Sequence, residues 1–64
     1  MQTQYSAMLY YQDHLCQCES HASLDLITAR LMLWLQEASL GSEGVIYDHA
    51  SESILSRHAR TSIE

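Results

Sequence analysis

The residues best suited to chemistry lie in one short segment, His14-Leu-Cys16-Gln-Cys18-Glu-Ser-His21. If this segment is helical, His14, Cys18 and His21 share one face, whereas Cys16 points away from it. Imidazole and thiolate groups are preferred zinc ligands, and a fourth group from elsewhere in the chain would complete a tetrahedral site. The segment is therefore the place to look for a metal.

Two features weigh against a metal site in this segment. A break in the helix near Ser20 would turn His21 away from the other ligands, and C-x-C is not the C-x2-C spacing of zinc knuckles. We predict no metal ion and no cofactor, and keep His14, Cys18 and His21 as the residues that would form a site. Cys16 and Cys18 are expected to be reduced thiols.

The other polar residues do not form a recognisable catalytic motif. The chain has nine serines and four histidines, but no serine lies in the strand-turn-helix sequence of a nucleophile elbow. Asp48 and His49 are neighbours that would point in different directions on a helix. A chain of 64 residues rarely encloses a substrate pocket. We predict no catalytic residues and a protein that is not an enzyme.

The element that dominates the sequence is an apolar segment, Leu24–Leu40, which we predict to be helical. Ser20 or Ser23 can cap its first turn, and Gly41 is suited to the position after its end. At helical spacing one stripe faces a core. It consists of Leu24, Ile27, Leu31, Trp34, Leu35 and Ala38.

The flanking segments complete a predicted all-α fold, a small three-helix or helical-hairpin domain spanning 1–64. Its helices cover approximately 3–18, 23–40 and 45–60, and the short GSEG connection turns the last helix back antiparallel. The alternative is a β-α-β-α chain with short strands at 7–11 and 45–47. The run SAMLYY lacks the alternation of a half-buried strand, which favours the helical interpretation.

The central helix carries more apolar surface than such a small domain can bury, because its side chains are apolar around most of its circumference. We therefore expect a partner, most simply a second copy in a two-fold homodimer. Tyr10 lies opposite the main stripe of the first predicted helix and is expected to contact a partner as well. The predicted interaction surface consists of Leu26, Met32, Leu33, Leu40 and Tyr10.

Charge excludes several other classes of partner. Eight acids stand against three arginines, with no lysine and a formal net charge of −5. Such a chain is a poor nucleic-acid binder and has little attraction for an anionic membrane. The apolar segment is too short and too charged to span a bilayer, and no signal peptide is evident. We expect a cytoplasmic protein.

The predicted function is that of a non-enzymatic protein-interaction module, such as a small adaptor, a chaperone-like subunit or an inhibitor of a larger protein. It would act through a hydrophobic helix face with an acidic rim. One alternative is a metal- or redox-responsive regulator that uses His14, Cys16, Cys18 and His21. A second is a structural subunit that needs a different chain in order to fold.

Overall fold

Two β-hairpins flank a single helix in the part of the chain that the structure describes. This structure is a computed structural model that describes residues 4–60. Its elements are β1 (Tyr5–Tyr11), β2 (His14–His21), α1 (Leu24–Glu37), β3 (Glu43–Asp48) and β4 (Ser53–Ala59). The strands form one antiparallel sheet in the order β2-β1-β3-β4, and α1 packs on one face of it.

The all-α prediction is wrong. The predicted helix over 3–18 is the first hairpin, apart from Thr3, which lies outside the described residues. Gln12 and Asp13 both have positive φ, 52° and 67°. Two consecutive residues of this kind make the tight turn whose twist matches that of paired strands. The residue pair Gln-Asp is a poor sequence signal for this turn, so the hairpin is not recognisable from the turn residues.

The predicted helix over 45–60 is also wrong, because the chain forms most of β3, a turn and β4 there. Asp48 organises this turn. Its carboxylate accepts hydrogen bonds from the Ala50 amide at 2.9 Å and the Ser51 hydroxyl at 3.1 Å. Short aspartate side chains stabilise turns in this way in competition with helix formation.

The β-α-β-α alternative is correct only in part. Its strands at 7–11 and 45–47 lie within β1 and β3. It lacks β2 and β4, which form the two edges of the sheet, and it places a helix where β4 runs. Both missing strands are rich in polar residues, and their conformation depends on pairing with β1 and β3.

The central helix is the element that the sequence predicts best. Ser23 caps it, because its hydroxyl accepts a hydrogen bond from the Leu26 amide at 3.3 Å. The helix ends at Glu37, earlier than predicted, and Gly41 adopts positive φ (93°) in the following turn. The helix is too short and not apolar enough to cross a membrane, and it is the only helix within residues 4–60.

The core lies between α1 and the covered face of the sheet. From the helix it receives part of the predicted stripe, and from β1 and β3 it receives alternate residues. Trp34 and Ala38 of the stripe are half-buried at its margin, and Leu24 is exposed. The buried members of this cluster are Ile27, Leu31, Leu35, Ala7, Leu9 and Ile46.

Gly44 of β3 allows the helix to approach the sheet closely. A Cβ at this position would lie 2.6 Å from Cδ1 of Leu31 and 3.0 Å from its Cγ and Cδ2. Leu31 is fully buried, so its side chain has little space into which to move. The helix therefore packs closely against the sheet at a position where β3 has no side chain.

Arg60 fastens the end of the sheet to the end of the helix. Its guanidinium donates hydrogen bonds to the carbonyls of Leu35 and Gln36, at 2.9 and 2.8 Å. Its backbone amide donates to the carbonyl of Ser42, and its carbonyl accepts from the amide of Gly41. The last turn of α1 contains no basic residue, so Arg60 supplies the positive charge that a helix C-terminus favours.

Substitution of Arg60 by methionine is expected to lower the free energy of unfolding by about 1–3 kcal/mol, because two helix carbonyls lose a charged donor. Urea denaturation followed by circular dichroism measures the change. Arg30→Met is the matched control. Arg30 faces Glu19 at 3.7 Å in an exposed ion pair, and loss of such a pair costs about 0.5 kcal/mol or less. Equal effects of the two substitutions would contradict the role of Arg60.

Candidate functional site

The face of the sheet opposite α1 is not covered by another element of the described chain. Along β1 and β3 the residues that alternate with the core positions point to this side. Ile54 and Arg57 of β4 lie opposite Tyr47 and Val45 of β3 and share their face. We call this surface, which extends over all four strands, the open face. Its groove is lined by the strand residues Met8, Tyr10, Glu43, Val45, Tyr47, Ile54 and Arg57, and Ser6 of β1 with Leu15, Cys18 and Ser20 of β2 extend it beyond the groove.

The open face is concave and mainly apolar at its centre. A shallow groove of about 370 Å³ runs over β1, β3 and β4 and reaches Asp13 in the first turn. Val45 is buried in its floor although the helix does not cover it. The phenol of Tyr10 lies 3.5 Å from the sulfur of Met8. Tyrosine and methionine side chains of this kind are enriched in protein interfaces.

Three charged groups border the groove. Arg57 Nη1 lies 3.6 Å from Glu43 Oε2, in a pair in which both side chains are about half exposed. Asp13 adds a second carboxylate from the β1–β2 turn. The border therefore carries one cation and two anions, whereas the remaining acids lie elsewhere on the chain. The open face is closer to neutral than the protein as a whole.

A polar cluster lies on the same side of the sheet, beyond Met8. Ser6 Oγ is 2.7 Å from Ser20 Oγ and 2.6 Å from Nε2 of His49, whose ring also meets the edge of Tyr47. A serine beside a histidine is the start of a nucleophilic site. Here Ser6 is only 5% exposed, and within residues 4–60 no carboxylate bonds to the His49 ring. This geometry suits a hydrogen-bonded anchor between β1 and the β3–β4 turn.

The predicted interaction surface is divided by the structure. Leu26 and Leu33 lie two turns apart on the outer side of α1 and are 58% and 56% exposed. Leu40 is equally exposed but lies in the turn after the helix. Met32 is half-buried against the core, and Tyr10 is on the opposite side of the domain, on the open face. Only Leu26 and Leu33 form the expected helix patch.

The predicted metal candidates are spread along β2. His14 and Cys18 are four residues apart on an extended strand, or roughly 13 Å. His14 and His21 pair with Tyr11 and Tyr5 on the helix side of the sheet, whereas Cys18 pairs with Met8 on the open face. Within residues 4–60 no group of three or more potential ligands is placed to hold a metal ion. Cys16 and Cys18 are free and exposed.

Sequence reasoning missed the open face, although one signal for it is present. The runs SAMLYY and GVIYD are apolar at consecutive positions. In a strand, such a run means that both faces carry apolar side chains. One face of β1 and β3 meets α1, and the other face forms the groove.

No family model, curated protein or solved structure matches this chain.

Proposed function

We propose that this chain is a non-enzymatic protein-interaction module that binds through its open face. The observation that carries the proposal is the uncovered apolar groove on one side of a sheet whose other side packs against α1 along β1 and β3. Large exposed apolar surfaces bordered by polar groups are typical of binding sites. The binding surface is thus a sheet face rather than the helix face that the sequence predicts.

Burial of this face on a partner would also stabilise the domain. The helix-side core contains six buried hydrophobic residues from the described part of the chain. A core of this size rarely supplies more than about 3–5 kcal/mol. Covering the tyrosines and aliphatic side chains of the open face removes further apolar surface from water, at about 25 cal/mol per Å². We propose a cytoplasmic location, in which the free thiols of Cys16 and Cys18 would stay reduced.

Site-specific photo-crosslinking in the producing cells tests this proposal. A photoreactive phenylalanine derivative is placed at Tyr10, where it preserves an aromatic ring on the open face. The matched position is Leu33, which is more exposed and lies on the outer side of α1. We expect a protein adduct from position 10 that is weak or missing from position 33. Adducts from neither position, or from position 33 alone, would contradict the proposal.

A further inference from the structure

We infer that the partner of the open face is the open face of a second copy of this chain. The two sheets would stack with both helices on the outside, in a two-fold dimer with four layers. The inference rests on the proposed function, because it names the partner of the same surface. Three properties of that surface favour a second copy: its extent, its internally satisfied polar groups and the bulges at its edges.

The extent of the face favours a partner that is itself a sheet. Four strands about 4.8 Å apart and about six residues long make a face of roughly 19 by 20 Å. Two such faces hide about 800 Å² in projection, and more when the relief of the side chains is included. Stable interfaces start near 1,000–1,200 Å² in total. With the relief of its side chains a full sheet approaches that range, whereas a single strand or helix covers only about half of the face.

The polar groups of the face are compatible with burial under a copy of itself. Ser6 Oγ bonds to both Ser20 Oγ and His49 Nε2, so the cluster can be covered without leaving the two serine hydroxyls unpaired. At the groove, Arg57 lies 3.6 Å from the carboxylate of Glu43, and Asp13 adds a second carboxylate to the lining. A surface that carries both signs can be complementary to itself across a two-fold axis.

The edges of the sheet are poorly suited to the other simple mode of self-association, strand-to-strand pairing. β2 has a bulge at Cys16 opposite Leu9 and Tyr10, and β4 has a bulge at Leu55 opposite Ile46 and Tyr47. Bulges twist an edge strand and interrupt its row of free amides and carbonyls, which hinders pairing with another edge. Face-to-face stacking avoids both edges.

The test uses the unmodified chain and its methionines. Met8 lies on the open face and Met32 packs at the helix side, so their methyl groups report on opposite sides of the sheet. Chains with isotope-labelled methionine methyl groups are mixed with unlabelled chains, and intermolecular NOEs are recorded. Sedimentation equilibrium from about 1 µM to about 1 mM gives the oligomeric state over the range in which modest affinities are measurable.

We expect a dimer in which the Met8 methyl group shows intermolecular NOEs and the Met32 methyl group shows none. A monomer throughout the concentration range would overturn the inference, and so would a dimer with NOEs only at Met32. Neither result by itself overturns the proposed function. In the crosslinking experiment, an adduct of position 10 at twice the mass of the chain supports both proposals. An adduct of any other mass supports the proposed function alone.

Matched variants give a second readout. Ile54→Glu introduces a charge at a half-exposed position of the open face, and Leu33→Glu introduces the same charge on the outer side of α1. Burial of an unpaired carboxylate is strongly unfavourable, so Ile54→Glu is expected to weaken dimerisation at least tenfold. Leu33→Glu is expected to leave it within about twofold. Circular dichroism establishes that both variants are folded, and the reverse order of effects would overturn the inference.

Discussion

Truncation of Leu31 to alanine is expected to lower the free energy of unfolding by about 2–5 kcal/mol, the largest effect of any single side chain considered. Leu31 is fully buried at the point where α1 crosses the sheet, with Gly44 beneath it. Ile27 and Leu35, one turn to either side, cannot fill the space without moving the helix. The free energy lost by removing the buried methyl groups and the cost of the cavity left behind therefore add.

This loss is comparable to the whole stability expected of a domain of this size. A single small core supplies about 3–5 kcal/mol, so the variant is expected to be largely unfolded at room temperature. Thermal and urea unfolding followed by circular dichroism measure the effect. The matched control is Leu33→Ala, the same chemical change two residues away at an exposed position, which should alter stability by no more than about 0.5 kcal/mol. A cooperative, near-native transition for Leu31→Ala would contradict the placement of the core.

The second large effect is expected from a substitution in β3, on the sheet side of the contact between Gly44 and Leu31. Gly44→Ala places a Cβ 2.6 Å from Leu31 Cδ1, and the buried leucine cannot withdraw from it. Overpacking of this kind costs about 1–3 kcal/mol. Glycine otherwise weakens a strand, so alanine at this position would be stabilising if the helix were farther away. The sign of the change therefore reports on the close approach itself.

A double-mutant cycle separates the clash from other causes. Leu31→Val removes the methyl groups nearest to the new Cβ, so the combined variant should be less destabilised than the sum of the two single changes. Coupling of about 0.5–3 kcal/mol is typical of residues in contact. Additive effects within about 0.5 kcal/mol would mean that Gly44 and Leu31 do not meet. Urea denaturation of the four proteins provides the measurement.

The association predicted from the sequence and the association proposed from the structure share a cause but use different surfaces. In both cases the chain has more apolar surface than its own core can bury. The sequence assigns the excess to the outer side of the helix, and the structure leaves Leu26 and Leu33 exposed there. Single exposed leucines are common in monomeric proteins and need no partner. The open face brings neighbouring side chains of β1, β3 and β4 together in one groove, and it includes Tyr10, which the sequence analysis also selected.

The expected behaviour of the cysteine segment changes with the fold. On a helix, His14, Cys18 and His21 would converge. On β2 they are divided between the two faces of the sheet and between its ends. A helix and a strand bring different side chains together because their periodicities differ. A wrong assignment of secondary structure therefore also predicts the wrong set of metal ligands.

The central helix and its inward stripe through Ile27, Leu31 and Leu35 are predictable from the sequence, which leaves the cap open between Ser20 and Ser23. These are local properties, because the backbone hydrogen bonds of a helix join residues four apart and its apolar stripe repeats every three to four residues. That the flanking segments are hairpins follows from strand pairing in the assembled fold. Strands bond to distant partners, and β1 and β3 lack alternation because both of their faces are apolar. What lies on each face of the sheet is a property of the assembled fold, and it is this arrangement that leaves one face open.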